Sequence, residues 1–564
     1  MEPDRRAPRL DLLIVGAGFS GLYMLHKARG MGFSAHAIEA APSVGGTWYH
    51  NRYPGARVDI QSLEYSFGFD AALQQDWHWS ERYAGQPELL RYANHVADRF
   101  GLRTSISLNT RMTGAEFDEG EQRWQVRAAT GEQWSAQFLV MASGPLSTPN
   151  TPAFDGLDSF KGPVFHTANW PHAPVDFSGL RVGVVGTGSS AVQAIPQIAR
   201  QAAKLTVFQR TAAYVVPAHN GPLDPAFEAR IKADYPAFRR RNRAMRVGFG
   251  SDFPPNPGSA LDATPAEREA AFEARWKVGG FAFLASFGDI MVDAQANRFA
   301  ADFMRRKIAA TVHDPATARL LSPSHTLGCK RLCVDSDGYY ETFNRPNVSL
   351  IDVAAMPIAR FTPRGLVTAD GREHVFDALV LATGFDAVTG TLMRLDIKGR
   401  GGLTLQDKWR DGPLNHLGLM VAGFPNLFSI AGAGSTSAFT NVMVSIEHHV
   451  EWIAEGMARL RERGLASIEP TAEAEAQWVA RVDAVAQHTL FLTCNSWYLG
   501  ANIPGKPRMF MPMACGFPTY AELCAQAARD GYAGFRLAGA GSANDRRPRK
   551  RGVTITPSGA ANTE

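Results

Sequence analysis

Two glycine-rich turns carry the residue types that bind a dinucleotide. The first is Gly16-x-Gly18-x-x-Gly21, which follows the apolar run "LDLLIV" and precedes the helical pattern "LYMLHKARGMG". The second starts at Gly186-x-Gly188 and has alanine in the third position; it lies between "LRVGVV" and "AVQAIPQIARQA". Glycines let the backbone approach a pyrophosphate, which then lies against amides at the N-terminus of the helix. The pattern therefore predicts two nucleotide sites.

The strand after each turn indicates which nucleotide binds. "SAHAIEA" ends near Glu39, and a carboxylate there accepts hydrogen bonds from a ribose diol. At the same distance from the second turn stands Gln209, followed by Arg210 and Thr211. A carboxylate would repel a 2′-phosphate, whereas a guanidinium pairs with it. We therefore predict FAD or NAD at the first turn and NADP at the second; the alternative is that Arg210 is an ordinary solvated residue at a strand end.

Three further residues are candidates for redox chemistry. Lys330 and Arg331 are adjacent in "LGCKRLCVDSDGYYETFNRPN", so on a strand they would point to opposite sides, one toward the NADP phosphate and the other toward the flavin. Asp59 ends "GGTWYHNRYPGARVD", where it would orient a nearby arginine. Residue pattern alone favours a surface Lys–Arg pair and a turn or N-cap aspartate.

The final electron acceptor follows from what the sequence lacks. It contains no Ser-His-Asp arrangement, no HExxH motif and no cysteine pair beside a flavin-like strand, and no metal site is predicted. With two dinucleotides but no redox disulfide, we expect dioxygen to be the oxidant. The protein must then stabilise anionic oxygen and exclude water.

Apolar runs ending in small-residue turns predict the elements that position these residues. They are "FLVMASGP" (138–145), "ALVLATGF" (378–385) and "NLFSIAGAGS" (426–435). We predict an α/β fold with two Rossmann-like dinucleotide-binding domains and a helical insertion in the NADP domain, because residues 217–325 show helical patterning and few strand runs.

The predicted domain boundaries split the FAD domain between the two ends of the chain. The segments are 1–145 and 385–537 for the FAD domain, 146–216 and 326–384 for the NADP domain, 217–325 for the helical insertion, and 538–564 for a disordered basic tail.

Composition is that of a globular protein of several domains. The chain has 564 residues, 45% hydrophobic and 20% charged, with no apolar run of membrane-spanning length and no signal peptide, so a cytoplasmic location is expected. Five cysteines without paired spacing argue against a disulfide framework, and Cys329 and Cys333 are interpreted as packing residues. The net charge of +4 comes mostly from "RRPRKR" in the tail, so no nucleic-acid partner is expected.

The stretch "FKGPVFHTANWP" carries a close family resemblance. It matches the F-x-G-x-x-x-H-x-x-x-W-P fingerprint of type I Baeyer–Villiger monooxygenases at Phe160, Gly162, His166, Trp170 and Pro171. "GGTWYHNRYPGARVD" matches that family's second motif, and the similarity extends from about residue 10 to about 537. The chain resembles the phenylacetone and steroid monooxygenase branch most.

The resemblance implies a reaction. NADPH reduces bound FAD, dioxygen adds to form a flavin peroxide anion, and this attacks a ketone to give a tetrahedral adduct that rearranges to an ester or lactone. The family's active-site arginine falls on Arg331 and its partner aspartate on Asp59. The guanidinium would stabilise the anionic oxygen.

The resemblance also implies the binding residues. Ser437, Ala438 and Phe439 fall on a substrate-lining loop, where Phe439 replaces a frequent leucine and is expected to narrow or redirect the pocket; Pro145 replaces a glutamine. Lys330, Arg210 and Thr211 fall on NADP-phosphate positions and Trp497 on a loop that closes over NADP. The implied cofactor-binding residues are Gly16, Gly18, Ser20, Gly21, Glu39, Gly46, Thr47, Trp48, Asp59, Tyr65, Met112, Thr187, Gly188, Ser189, Ser190, Gln193, Arg210, Thr211, Lys330 and Trp497.

Several alternatives remain open from sequence. His166 is either a general base or, as we favour, a linker residue that couples domain motion to the bound nucleotide. Trp497 is either a loop or a core residue. The enzyme either oxidises ketones, with sulfoxidation as a side activity, or acts chiefly on sulfides and amines; a non-catalytic NADPH/FAD sensor is disfavoured by the intact motifs. The expected partners are a small ketone and dioxygen, with no membrane partner and a monomeric chain.

Overall fold

The computed structural model describes residues 7–539. Its strands are β1 (Arg9–Val15), β2 (Ala35–Ile38), β3 (Ile106–Ser107), β4 (Met112–Asp118), β5 (Arg123–Ala128), β6 (Gln133–Met141), β7 (Val164–His166), β8 (Arg181–Val185), β9 (Lys204–Gln209), β10 (Val215–Pro217), β11 (Cys333–Asp335), β12 (Val348–Asp352), β13 (Ile358–Thr362), β14 (Gly365–Thr368), β15 (Glu373–Val375), β16 (Ala378–Leu381), β17 (Asp396–Lys398), β18 (Leu427–Ser429), β19 (Leu465–Pro470) and β20 (Phe535–Gly539).

The α-helices alternate with these strands in both halves of the chain. They are α1 (Phe19–Gly30), α2 (Thr47–His50), α3 (Ala71–Asp76), α4 (Gln86–Arg99), α5 (Ser189–Gln201), α6 (Pro225–Ala233), α7 (Tyr235–Ala244), α8 (Pro265–Val278), α9 (Ala294–Thr311), α10 (Pro315–Leu321), α11 (Tyr339–Thr342), α12 (Leu405–Lys408), α13 (Val442–Glu462), α14 (Ala472–Gln487) and α15 (Phe517–Arg529). Within the described residues, no helix is long and apolar enough to cross a membrane.

The first nucleotide turn belongs to an eight-stranded mixed sheet. Its order is β17-β4-β5-β6-β1-β2-β3, with β18 paired to β6. Strands β1, β2, β3, β6 and β18 are parallel, whereas β4–β5–β6 form an antiparallel meander. The late segment that contains β18 thus returns to the sheet that the N-terminal segment begins.

The second turn belongs to a five-stranded, wholly parallel sheet of order β12-β9-β8-β16-β7. Its inner strand β16, "ALVL", is buried at every residue. Strands covered on both faces are continuously apolar, which is why this segment was recognisable. The fold class predicted from sequence is confirmed: the chain contains two Rossmann-like α/β cores, one on a wholly parallel sheet and one on the parallel strands of a mixed sheet.

The helices between β10 and β11 begin at strong local signals. Each of α6–α10 starts at a side chain that caps its first amides: Asp224, Asp234, Thr264, Asp293 and Asp314. At α8 the cap is reciprocal, since the Glu267 carboxylate also accepts from the Thr264 backbone N–H at 2.7 Å. These caps therefore fix the residue at which each of the five helices begins.

This helical segment shares a core with the first sheet. Phe238, Phe272 and Phe283 belong to one buried hydrophobic cluster with Leu12 and Phe19. Strands β10 and β11, through which the chain enters and leaves the segment, pair with each other in parallel. The segment between β10 and β11 therefore interrupts the second nucleotide unit in sequence but packs largely against the core of the first unit.

Three expectations are corrected or limited by the structure. Cys329 forms a disulfide with Cys494, so it is not a simple packing residue; sequence spacing could not reveal a pair 165 residues apart. Cys333 is buried and free, as interpreted. Lys330 and Arg331 lie just before strand β11 and not on it. The predicted disordered tail begins at residue 538, but residues 538 and 539 are the end of strand β20; the rest of the predicted tail, 540–564, lies outside the described residues.

Candidate active site

The two glycine turns have nearly the same backbone geometry. Gly16 has φ +110° and Gly186 has φ +111°. A Cβ atom at Gly16 would lie 2.5 Å from the Ala142 carbonyl oxygen, and one at Gly186 would lie 2.5 Å from the Ala382 carbonyl oxygen. Each turn therefore needs glycine to pass close to the end of a neighbouring strand. The third glycine of the first turn, Gly21, packs against Gly16 in the same way.

Both turns offer the backbone amides that an anion requires. Helices α1 and α5 are N-capped by Gly18 and Gly188, and neither cap supplies a side-chain acceptor for the first N–H groups. A Cβ at Gly188 would meet no atom within 4 Å, so the space in front of α5 is open. Free amides at an open helix N-terminus fit a pyrophosphate. The predicted Ser20, Ser189 and Ser190 lie in the first turn of these helices.

Glu39 is held at the end of β2 by backbone groups alone. Its two carboxylate oxygens accept from the Ala17 N–H at 2.7 Å and the Ala41 N–H at 2.8 Å. A carboxylate has further lone pairs on each oxygen, so it can still accept from two ribose hydroxyls. The position and remaining acceptor capacity fit a ribose diol next to the first turn.

The predicted 2′-phosphate residues lie together beside the second turn. Gln209 is buried and its amide donates to the Leu320 carbonyl at 2.7 Å, while Arg210 and Thr211 are exposed. The Thr187 hydroxyl donates to the Thr211 carbonyl at 2.8 Å. Burial lowers the pKa of Lys330, and the charge of Arg210 lowers it further.

Arg210 and Lys330 lack any anionic partner within residues 7–539. Neither side chain forms an ion pair or hydrogen bond there, whereas Arg9, Arg181 and Arg331 each pair with a carboxylate. Two neighbouring cations that repel each other lower their energy by binding a dianion. This arrangement fits a phosphate group.

Arg331 is fixed by three groups from distant parts of the chain. Its guanidinium donates to the Asp59 carboxylate at 2.5 Å and to the Ala438 carbonyl at 3.1 Å. It also lies 4.9 Å from the centre of the Phe281 ring, within cation–π range. Burial would lower the pKa of Arg331, but the Asp59 carboxylate outweighs burial and raises it, so the group stays charged.

The Arg331–Asp59 pair remains partly accessible. The Arg331 and Asp59 side chains each keep 29% of their surface exposed. A guanidinium has five N–H donors, and Asp59 and Ala438 together occupy only part of them. The remaining donors can therefore bind a developing oxyanion.

An aromatic wall stands beside Arg331. The Phe439 ring stacks on Phe491 with centroids 4.3 Å apart and meets the edge of Tyr498 at 4.8 Å. Phe510 lies behind, 6.1 Å from Phe439. Burial raises the pKa of Tyr498 to about 12, although the charge of Arg331 opposes the shift. Ser437 precedes this wall, and its hydroxyl lies 3.0 Å from that of Ser435.

The sequence predicts a role for Phe439 but not for the other aromatic residues near Arg331. Tyr498 had a local signal, because it follows Trp497 directly in "NSWYLGANI". Phe281 and Phe491 had none, since neither lies in a recognisable motif. Trp497 itself is half-buried, with its ring centroid 4.4 Å from that of Tyr498.

Most of the remaining predicted FAD positions lie around the first turn. The Trp48 indole N–H donates to the Tyr65 hydroxyl at 3.2 Å. Gly46 has φ +51° and a Cβ there would lie 2.9 Å from the Gly18 Cα, so these two backbones touch; Thr47 begins α2 directly after it. Met112 starts β4 and is packed into the core of the sheet.

Gln193 links the two nucleotide units. Its side-chain oxygen accepts from the Tyr53 hydroxyl at 2.8 Å and from the Arg57 backbone N–H at 3.4 Å. Its side-chain NH₂ group donates to the Arg57 backbone carbonyl at 3.1 Å. The predicted pyrophosphate role of Gln193 therefore competes with these three contacts to the segment that leads to Asp59, although one N–H of its side-chain amide is left for a further acceptor.

The fingerprint forms an edge of the second sheet. His166 ends β7; its Nε2 lies 3.1 Å from the Asn150 carbonyl, and its Nδ1 accepts from the Ala168 N–H at 3.1 Å. Burial lowers the pKa of His166, so the ring is neutral with both nitrogens engaged. This bonding disfavours a general base. Gly162 allows the turn to touch the Asp377 carbonyl.

A groove of about 400 Å³ opens beside the fingerprint. Phe160 is buried against Phe376, with ring centroids 5.2 Å apart, whereas Trp170 packs on Phe165 at the same separation. The groove is lined by His50, Val164, Phe165, Asn169, Trp170, Pro171 and His172.

Comparison with known proteins identifies the family. Residues 13–239 match the model of the pyridine nucleotide-disulphide oxidoreductase family. The chain is 44% identical over 525 residues, 93% of this chain and 95% of the relative, to a Baeyer–Villiger monooxygenase of Pseudooceanicola batsensis. It is also 41% identical over 537 residues, 95% of this chain and 98% of the relative, to the phenazine N-monooxygenase PhzNO1 of Lysobacter antibioticus.

The structural comparison agrees over the same length. A steroid monooxygenase in its oxidised form, bound to NADP, superposes with a TM-score of 0.89 at 50% identity, covering 94% of this chain and 99% of that one. The resemblance noted from the sequence motifs is confirmed. Because these proteins are 44% and 50% identical to the chain over more than nine-tenths of its length, the chain belongs to the Baeyer–Villiger monooxygenase family.

Proposed function

We propose that the protein is an NADPH- and dioxygen-dependent monooxygenase that inserts one oxygen atom beside a ketone carbonyl to give an ester or lactone. The observation that carries the proposal is the Arg331–Asp59 pair, with Arg331 also bonded to Ala438 and lying beside the aromatic wall. Relatives named for acetone and cyclohexanone monooxygenation support a small ketone as substrate.

The two nucleotide sites divide between the sheets. FAD fits the first turn with Glu39 at its ribose, and NADPH fits the second turn with Arg210 and Lys330 at its 2′-phosphate. Bound FAD, once reduced by NADPH, supplies the activated oxygen. This division assigns residues 1–145 and 385–537 to the FAD domain and 146–216 with 326–384 to the NADP domain; we take the chain to act as a monomer in the cytoplasm.

The protein's own task is electrostatic. Arg331 stays charged because Asp59 offsets its burial, so its free N–H donors can stabilise negative charge on the substrate oxygen as the carbonyl carbon becomes tetrahedral. Ala438 and Asp59 hold the guanidinium in place, so little reorganisation is needed. Phe439 and Tyr498 cover the site with apolar surface that excludes water.

The test is product formation. Purified enzyme is given NADPH, ¹⁸O-labelled dioxygen and, in turn, aromatic, cyclic and steroid ketones, and the extract is analysed by gas chromatography and mass spectrometry. We expect an ester or lactone with one labelled oxygen. NADPH oxidation that yields only hydrogen peroxide with every ketone would refute the proposal.

A second activity is favoured by one comparison. The phenazine N-monooxygenase is as similar to this chain as several ketone-oxidising relatives. The same activated oxygen can be transferred to sulfur or nitrogen when the substrate is a nucleophile. Sulfides and N-heteroarenes in the same assay test this; N-oxides or sulfoxides formed faster than any ester would make heteroatom oxidation the main function.

A further inference from the structure

One covalent bond ties the Arg331 segment to the aromatic wall. Cys329 and Cys494 are joined by a disulfide, with Cα atoms 5.9 Å apart. Cys329 lies two residues before Arg331, and Cys494 lies three residues before Trp497. The link therefore holds the segment that carries the charged group against the segment that carries Trp497 and Tyr498.

The two sulfur atoms differ in access. Cys329 is fully buried. Cys494 is partly exposed and lies between the exposed residues Thr493 and Asn495. Thiol–disulfide exchange starts by in-line attack of a thiolate on a sulfur that it can reach. An external thiol would therefore attack Cys494, and Cys329 would be the leaving group.

His325 stands where it can donate a hydrogen bond to such a leaving group. Its Nδ1 lies 3.6 Å from the Cys329 sulfur and 3.0 Å from the Thr326 carbonyl, and its Nε2 lies 3.1 Å from the Ala212 carbonyl. Backbone contacts on both sides fix the ring in this orientation. In the tautomer with the proton on Nδ1, the imidazole can donate to a thiolate that forms on Cys329.

Non-covalent contacts hold the rest of the Cys494 segment. The Leu490 N–H donates to the Met291 carbonyl at 2.9 Å. Further along, Asn502 donates to the Phe385 carbonyl at 2.7 Å and Lys506 pairs with Asp386 at 2.7 Å. When the disulfide opens, only contacts of this kind hold residues 490–500 beside Arg331.

We propose that Cys329–Cys494 is a thiol–disulfide exchange site for low-molecular-weight thiols, and that its opening loosens residues 490–500 next to Arg331. A thiolate RS⁻ attacks the Cys494 sulfur, the S–S bond breaks, and its electron pair passes to Cys329, whose thiolate accepts a hydrogen bond from His325 and takes its proton from the external thiol RSH. A second thiolate attacks the mixed disulfide and releases RSSR and the Cys494 thiolate. Hydrogen peroxide reverses the change: two thiols and one H₂O₂ give the disulfide and two waters.

The first test counts thiols in the purified full-length protein. After denaturation in an alkylating reagent without reductant, intact mass should show three modified cysteines of the five; after dithiothreitol it should show five. Native protein given reduced glutathione and quenched with acid should carry the adduct on the partly exposed Cys494 and not on the buried Cys329.

Two results of this test would overturn the proposal. One is glutathione attached to Cys329 as readily as to Cys494. The other is five reactive thiols without reductant together with bound zinc that a chelator removes, because His325, Cys329 and Cys494 place their ligand atoms within 4.8 Å of one another. The latter result would make the cluster a metal site.

The second test measures the loosening. Hydrogen exchange of the amides in residues 490–500 should become about tenfold faster in wild type on reduction. Cys494→Ser should exchange fast in both conditions, whereas Cys515→Ser should respond as wild type does. Equal exchange in oxidised and reduced wild type would refute the conformational part.

The effect on turnover rests on the proposed function. Reduction should lower the ester formed per NADPH oxidised at least about twofold in wild type and leave the ratio in Cys494→Ser unchanged, because Tyr498 is less firmly held against Arg331. An unchanged ratio in wild type would remove the functional consequence. Complete absence of ester in both states would refute the ketone oxidation itself, while the thiol count and amide exchange would still decide the exchange site.

Discussion

Three neighbours of different chemistry fix the Arg331 guanidinium. The Asp59 carboxylate supplies charge, the Ala438 carbonyl supplies direction and the Phe281 ring covers one face. A charged donor that is already oriented stabilises a developing oxyanion without reorganisation at the moment of reaction. The paired carboxylate also keeps the pKa of Arg331 high despite burial, so its charge persists across the working pH range.

Replacement of Arg331 by alanine should separate flavin reduction from ester formation. The variant should keep FAD and be reduced by NADPH at close to the wild-type rate, because the second nucleotide site is untouched. Ester formation should fall about 100-fold or more, as expected when an oxyanion donor is removed. Anaerobic stopped-flow absorbance measures reduction, and gas chromatography measures ester. Wild-type ester yield in this variant would remove Arg331 from its role.

Arg210 tests the cofactor preference at the same scale. Arg210→Ala should raise KM for NADPH about 10- to 100-fold and change KM for NADH little, because only NADPH carries the phosphate that a charge-assisted hydrogen bond would lose. Arg200→Ala is the matched control, since that exposed arginine pairs with Asp337 and faces no predicted nucleotide. An equal rise for both cofactors would contradict the 2′-phosphate assignment.

At the scale of elements, local patterns were predictable and distant pairings were not. The turns at Gly16 and Gly186 could be recognised because strand, glycine and helix signals are contiguous. Strand β7 could not be recognised from local sequence, because its Val164–His166 run is stable only beside β16, which lies far along the chain. The Cys329–Cys494 bond and the stacking of Phe439 on Phe491 are likewise contacts between distant segments, which no local spacing encodes.

The helical segment is joined to the connection between α2 and α3 by a buried carboxyl group, that of Glu64. The Glu64 Oε1 accepts from the Gly250 backbone N–H at 2.7 Å. The backbone carbonyl of Glu64 accepts from the Asn441 side-chain amide, also at 2.7 Å. Its Oε2 is buried without a partner. Burial raises the pKa of Glu64 from its ordinary 4.5 to about 7, although the Gly250 hydrogen bond opposes the shift.

This shift predicts a pH-dependent stability. Because the folded pKa is the higher one, the contribution of Glu64 is fully present below pH 4.5 and is lost as pH rises through about 7. Glu64→Gln should therefore match wild type near pH 5 and be more stable at pH 8 to 9, by up to about 3 kcal/mol. Urea unfolding followed by fluorescence across this pH range measures it.

A second buried glutamate provides the control. Both oxygens of Glu88 accept hydrogen bonds from Ser80, at 3.0 Å and 2.7 Å, so an amide there leaves one donor without its acceptor. Glu88→Gln should be destabilised and should show no gain at high pH. If Glu64→Gln were less stable than wild type at pH 8, Glu64 would be a charged and paired group.

At the scale of the molecule, the site exists only when four separate segments meet. Asp59 comes from the first nucleotide unit, Phe281 from the helical segment, Arg331 from the chain that returns from it, and Ala438 from the late segment. Gln193 on α5 holds the Tyr53–Arg57 segment just before Asp59. We therefore expect the alignment of NADPH with FAD to depend on the contact between α5 and this segment.

Gly55 makes that contact possible. It has φ +80°, and a Cβ there would lie 2.4 Å from the Gln193 backbone carbonyl oxygen. Gly55→Ala should push α5 away from the first unit, since a backbone atom cannot swing aside as a flexible side chain would. We expect unfolding stability to fall by about 1–3 kcal/mol and flavin reduction by NADPH to slow about 10- to 100-fold through misplacement of the nicotinamide.

A matched glycine separates this steric effect from backbone strain. Gly371 has φ +81°, but a Cβ there would meet no atom within 4 Å, so Gly371→Ala carries the same left-handed strain without the collision. Stopped-flow reduction and thermal unfolding of both variants give the comparison. Equal rates of flavin reduction in the two would show that the close approach of Gly55 to α5 does not set the geometry of hydride transfer, whereas a loss confined to Gly55→Ala would locate that control in the contact between the two nucleotide units.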